Sequence, residues 1–166
     1  MSLFDDFLDA NAEYARQFDQ GELARTPRRQ VAIVTCMDTR MVPEAFLGIQ
    51  AGDANILRNA GGRVSDDVIR SLVISQRLLG TREIMVIHHT DCGLVTFTNA
   101  DLAAKVRQDL GVDVGDFDFL EIDDLEQSVR TDVARLRNSP LIQAETRISG
   151  AIYNVFSGEL REVVRA

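Results

Sequence analysis

Short β-branched apolar runs alternate with helical patterns, and this alternation constrains the fold more than any other feature of the sequence. The runs are Val31-Ala-Ile-Val-Thr35, Asn55-Ile-Leu57 and Glu83-Ile-Met-Val-Ile87. Each is too short for a helix and reads as a buried strand. Before the third run, Val68, Ile69, Leu72, Val73, Gln76 and Leu79 share one helical face. Ser65 suits the N-cap of that helix, Asp66 and Asp67 suit its first turn, and Gly80 stops it. Pro43 can open a short helix through Leu47. Thr98 with Asp101 resembles a capping box for a helix to about Asp109. Leu125, Val129, Val133 and Leu136 mark another amphipathic helix, ended near Pro140. Ile148 to Val155, Ser157-Gly158 and Leu160 to Val164 read as a strand and hairpin. The pattern predicts an α/β fold: a mainly parallel central sheet flanked by helices, with a C-terminal strand or hairpin.

An N-terminal helical arm precedes this core. Phe4, Phe7, Leu8, Asn11, Ala15 and Phe18 fall near one stripe and predict a helix over residues 2 to 19. The polar stretch from Gln20 to Gln30 follows. The arm packs either on its own core or on a neighbouring subunit. A chain of 166 residues fits one domain, divided into an arm (1–29) and a core (30–166). Residues 112 to 122 read as an acidic, solvated surface loop.

The formal charge of −8 weighs against nucleic acid and anionic lipid, which need clustered Lys and Arg. No apolar run approaches the ~20 residues of a membrane-spanning helix. No basic n-region precedes an apolar block, so the expected location is cytoplasmic.

In parallel sheets the ligand site lies beyond the carboxyl ends of the strands. Cys36 follows the first strand, and His88 and His89 follow the third, so both clusters are expected at one sheet edge. Zinc takes thiolate sulfur and imidazole nitrogen in tetrahedral geometry. His89-Thr-Asp-Cys92 offers two ligands across a tight turn, and Cys36 offers a third. Three protein ligands with one open position is the pattern of a catalytic zinc. Taken singly, each cysteine reads as a small buried hydrophobe and His89 as a core histidine; together at one edge they favour a metal. Neighbouring strand residues face opposite ways, so His88 is expected to be packed or hydrogen-bonded, with a proton relay as the alternative. Asp38 and Arg40 follow Cys36 at intervals of two, which in an extended segment puts all three on one side. Asp38 can orient the zinc-bound water or take the open position, and a bidentate Arg40 can hold it to the first role. A surface salt bridge is the bland alternative. Two thiolates neutralise the zinc charge, so the bound water should be less acidic than at a three-histidine centre, with more activity at alkaline pH.

Cys36-Met-Asp-Thr-Arg40 together with His89-Thr-Asp-Cys92-Gly93 resembles the β-class carbonic anhydrases. Arg58-Asn-Ala-Gly61 is similar to that family's loop after the second strand. The resemblance runs from about Gln30 to Leu94 and is marked toward short mycobacterial-type members, which carry a double His before Thr-Asp-Cys. It implies one zinc per chain on Cys36, His89 and Cys92, with Asp38 and Arg40 as the catalytic dyad. It implies carbon dioxide and bicarbonate as substrates and a homodimer or homotetramer in which the N-terminal helix embraces the partner. Three positions depart from the family pattern. Arg25-Thr-Pro-Arg28 lacks the Gln of a Gln-x-Pro segment, Thr39 replaces a Ser, and Leu94 replaces a Gly. Two other functions suit the same residues. One is a carbonyl sulfide or carbon disulfide hydrolase. The other is a non-catalytic zinc-stabilised binding protein.

Overall fold

The strand patterns pair into one five-stranded sheet in a computed structural model whose described residues are 2–166. The strands are β1 (Val31–Cys36), β2 (Ala54–Asn59), β3 (Glu83–His89), β4 (Arg147–Tyr153) and β5 (Leu160–Val164), in the order β2-β1-β3-β4-β5. The first four run parallel, and β5 returns antiparallel to β4. The helices are α1 (Leu3–Arg16), α2 (Pro43–Phe46), α3 (Asp66–Leu79), α4 (Asn99–Leu110) and α5 (Leu125–Arg137). This is the mainly parallel α/β fold expected from the alternation.

The two sheet faces are covered differently. Ala32, Val34, Ile84, Val86, Ile148 and Ile152 pack against α3 through Val68 and Leu72, and against α5 through Val129, Val133 and Leu136. At Gly150 a Cβ would lie 2.5 Å from Val129 Cγ1, so α5 rests directly on β4. On the opposite face Ile33 and Ile87 pack with Met41, Ile49, Leu94 and Ile122. Phe46 of α2 stacks there on Tyr153, with centroids 4.2 Å apart. Loops rather than long helices dominate this side, and α4, though its Thr98–Asp101 capping box forms, buries no residue.

Several boundaries differ from the sequence reading. Both β1 and β3 run further, so Cys36, His88 and His89 end their strands rather than follow them. The first helix stops at Arg16, where the Gln17 amide turns to the Tyr14 carbonyl. Strand β4 stops at Tyr153, because the Asn154 side chain accepts from the amides of Phe156 and Ser157 and turns the chain. The acidic loop is not freely solvated. Ile122 falls in the apolar cluster and its amide donates to the Leu94 carbonyl. No residue of α1 is buried, so packing of the arm on its own core is not what the described residues show.

Candidate metal centre

Alternation along β3 divides its two histidines. His88 points with Ile84 and Val86 toward α5, while His89 points with Met85 and Ile87 to the other face. Both are fully buried. His89 Nδ1 lies 2.9 Å from the Thr90 carbonyl, to which only an N–H can donate. That leaves Nε2 with a free lone pair, and among the described residues it has no hydrogen-bond partner. Cys36 ends the neighbouring strand. Cys92 is returned by a turn in which Asp91 takes a left-handed φ of 56°. The side-chain ligand atoms of Cys36, His89 and Cys92 all lie within 4.8 Å of one another. An orphaned imidazole nitrogen facing two buried sulfurs fits a zinc ion.

The electrostatics of the trio point the same way. A hydrogen bond from Cys92 pulls the Cys36 thiol down to about 4 against the opposing effect of burial, with help from His89 and the Gly61 amide. The same partnership, reinforced by burial, pushes the Cys92 thiol up. Two sulfurs this close oppose each other's ionisation, and a divalent cation between them is what lets both ionise. Burial opposes charge on His89, but the nearby Cys36 sulfur outweighs it, with help from the Thr90 carbonyl, and raises the ring's pKa.

Asp38 and Arg40 stand at the rim. Asp38 Oδ1 accepts from Arg40 Nε at 3.0 Å and from the Arg40 amide at 2.8 Å, and Oδ2 accepts from Nη2 at 2.7 Å. The segment is therefore a turn closed by the Asp38 side chain, not the extended stretch expected from the spacing. The bidentate contact forms all the same. Arg40 Nη1 donates to Asp91 Oδ2 at 2.7 Å. The Arg40 hydrogen bond holds the Asp38 carboxyl well below the usual range, and Asp38 in turn raises the Arg40 guanidinium. Asp38 Oδ2 lies 3.9 Å from His89 Nε2, beside the space the three ligands face.

Four further groups support the site; the loop holding Arg58 and Gly61 was legible in the sequence, but the contacts of none of the four were. Arg58 donates to the carbonyls of Cys36 at 3.0 Å and Asp38 at 2.7 Å. The Gly61 amide donates to Cys36 Sγ at 3.3 Å. Asp91 anchors Arg40, and its place between two ligand residues was the available signal. The fourth is a buried ion pair between Arg63 and Asp132, whose Oδ2 lies 3.2 Å from His88 Nε2. Its readable sign was a carboxylate one position before Val133, inside the apolar stripe of α5. His88 is thus packed against a carboxylate, on the face away from Cys36, His89 and Cys92.

Comparison with known proteins places this architecture among characterised ones. A family model described as carbonic anhydrase matches residues 31–111. The crystal structure of a carbonic anhydrase from Streptococcus mutans superposes with a TM-score of 0.94 and 57% identity, over 98% of each chain. Beta-carbonic anhydrase 1 of Mycobacterium tuberculosis is 42% identical over 163 residues, covering 98% of this chain and 99% of that one. A carbon disulfide hydrolase of Saccharolobus solfataricus is 36% identical over 188 residues, covering 96% of this chain and 90% of that one.

Proposed function

The chain belongs to the β-class carbonic anhydrase family, and from that membership we propose that it hydrates carbon dioxide reversibly to bicarbonate, with one zinc ion held by Cys36, His89 and Cys92. The observation that carries the ligand assignment is the convergence of three buried donor atoms within 4.8 Å, one of them an orphaned imidazole nitrogen. A zinc ion there supplies the Lewis acidity that makes a nucleophile of water. The protein's own part is aim. Asp38 stays ionised under the Arg40 fork, so it accepts a hydrogen bond rather than donating one. Its Oδ2 keeps a lone pair beyond the bond to Arg40 and there orients the attacking water toward carbon dioxide. Asp91 and the Arg58 contacts hold this pair in register with Cys36.

Two thiolates leave the centre formally neutral, which favours activity toward alkaline pH. Stopped-flow hydration across pH, with zinc measured on the same sample, tests the reading. The expected outcome is a rate that tracks zinc content and rises with pH. Background rates from a chain carrying stoichiometric zinc overturn it in favour of a zinc-stabilised binding protein. The carbon disulfide hydrolase relative favours one further reading of the same site. Initial rates on carbon dioxide, carbonyl sulfide and carbon disulfide separate the two, and turnover of sulfur substrates alone reverses the assignment.

The assembly follows from the same membership. Residues 1–29 serve as an arm and 30–166 as the zinc-binding core of one domain. The exposed stripe of α1 is covered by a second copy of the chain, in a homodimer or a homotetramer built from it. Among the described residues no helix is long and apolar enough to cross a membrane, and both cysteines are free thiols. A cytoplasmic location suits those thiols, which a reducing compartment preserves.

A further inference from the structure

Arg63 and Asp132 form the most buried ion pair among the described residues, and no step of the reaction uses either of them. Arg63 Nε donates to Asp132 Oδ2 at 2.9 Å, and the Val64 amide donates to the same oxygen at 3.1 Å. His88 Nε2 stands 3.2 Å from it. The other end of the guanidinium donates to the carbonyls of Leu120 at 2.7 Å and Glu121 at 2.8 Å. One carboxylate and one guanidinium therefore tie together the turn after β2, the end of β3, helix α5 and the acidic loop.

Each metal-bearing segment connects to this pair by a short path. Arg63 continues the turn whose Gly61 amide donates to Cys36 Sγ. His88 is the residue next to His89, and its buried ring packs 3.2 Å from Asp132 Oδ2 behind the strand end that presents the ligand. The clamped carbonyls of Leu120 and Glu121 precede Ile122, whose amide donates to Leu94 two residues after Cys92. Leu94 itself packs on Gly61, where a Cβ would come within 2.4 Å of its Cδ2. The contacts close a ring around the trio.

The geometry points to Arg63 and Asp132 as positioning residues that set the geometry of the Cys36, His89 and Cys92 ligands from behind. This rests on those three residues being the zinc ligands. An ion pair kept only for stability is replaceable by apolar side chains of similar volume, often at no cost. A positioning pair is not, because its carbonyl clamps and the His88 contact are lost.

The test is the double variant Arg63→Met/Asp132→Leu, loaded with zinc and compared with the parent chain. Expected are a thermal midpoint near that of the parent and zinc affinity weaker by about tenfold or more in chelator competition. With cobalt(II) in place of zinc, the thiolate-to-cobalt charge-transfer band shifts. Parental affinity together with a parental cobalt spectrum overturns the proposal. Should the double variant not fold, Arg63→Lys carries the test alone. It keeps the charge opposite Asp132 but gives up the clamp on Leu120 and Glu121, and a smaller loss of affinity is expected. Unchanged affinity and spectrum in that variant overturn the proposal equally. A parent chain that retains no zinc instead sinks the ligand assignment itself, and the positioning role with it.

Discussion

Asp38 accepts three hydrogen bonds from Arg40, one of them from its backbone, and on the proposed function the orientation of that single carboxylate separates an active site from a closed one. Removing the carboxylate leaves Cys36, His89 and Cys92, the proposed zinc ligands, in place. Asp38→Ala is therefore expected to keep stoichiometric zinc and lose on the order of 10²-fold in hydration rate, the lower range for a group that handles a proton in the transition state. Metal analysis beside stopped-flow kinetics checks both halves, and full activity in Asp38→Ala removes Asp38 from the mechanism. The ligands respond differently. His89→Ala leaves only two buried sulfurs to hold the metal, and zinc is expected to be lost on dialysis. Retention of one zinc per chain in that variant speaks against His89 as a ligand. Between these two extremes lies Arg40, which anchors to Asp91 and so couples the dyad to the turn that carries Cys92.

Elements position what the residues do. In the turn after β2, Gly62 takes a left-handed φ of 68°, and a Cβ there would lie 2.8 Å from the Thr35 carbonyl carbon and 2.9 Å from the Cys36 nitrogen. Those neighbours are backbone and cannot swing aside. Gly62→Ala is expected to cost more than the ~1–2 kcal/mol of the left-handed conformation alone, read as a lower urea midpoint, and to weaken zinc retention by pushing on Cys36. An unchanged urea midpoint would show that the strand end yields. Asp132 gives the elements a pH dependence. Burial pushes its carboxyl up, but His88 and Arg63 outweigh burial and hold it below the usual range. With the folded pKa depressed, its contribution is fully present above the unfolded value of about 3.9 and is lost as pH falls through the folded one. Asp132→Asn is expected to lose about 3–5 kcal/mol near neutrality, because Arg63 is left buried and unpaired. It should also show a flatter fall of stability with acid, and a parental slope in pH-dependent denaturation would contradict the assignment.

Much of this was legible in the sequence because it depends on local period. Period-two alternation in Glu83-Ile-Met-Val-Ile87 carried through His88 and His89 and put them on opposite faces. The strand-end rule brought Cys36 to His89. What stayed hidden is non-local. Nothing in Arg63 announces a partner on α5, and nothing in the loop before Ile122 announces that its carbonyls are held. The turn at Asp38 escaped for a different reason, since a side chain accepting from a backbone amide two residues on overrides the extended spacing.

At the scale of the whole molecule the unfinished part is α1. Its capping box of Ser2 and Asp5 sets its start, yet none of its residues is buried, and Phe4 and Phe7 are 67% and 63% exposed. Covering an aromatic of this size stabilises by roughly 1.5–3 kcal/mol, so several along one stripe supply a strong drive toward a second copy. Charge opposes it, because each copy carries −8 and like-charged chains repel. Salt screens that repulsion while leaving apolar burial intact. Association is therefore expected to strengthen from low to moderate ionic strength, the reverse of an interface held by ion pairs. Phe4→Glu/Phe7→Glu is expected to shift the protein toward monomer in sedimentation velocity without changing the far-ultraviolet dichroism of the core or its zinc content. A double variant that sediments as the parent does, at any salt, places the interface elsewhere on the molecule and returns α1 to the status of a solvent-exposed helix. A variant that becomes monomeric yet keeps zinc but loses hydration activity shows in addition that the partner copy completes the pocket around Asp38.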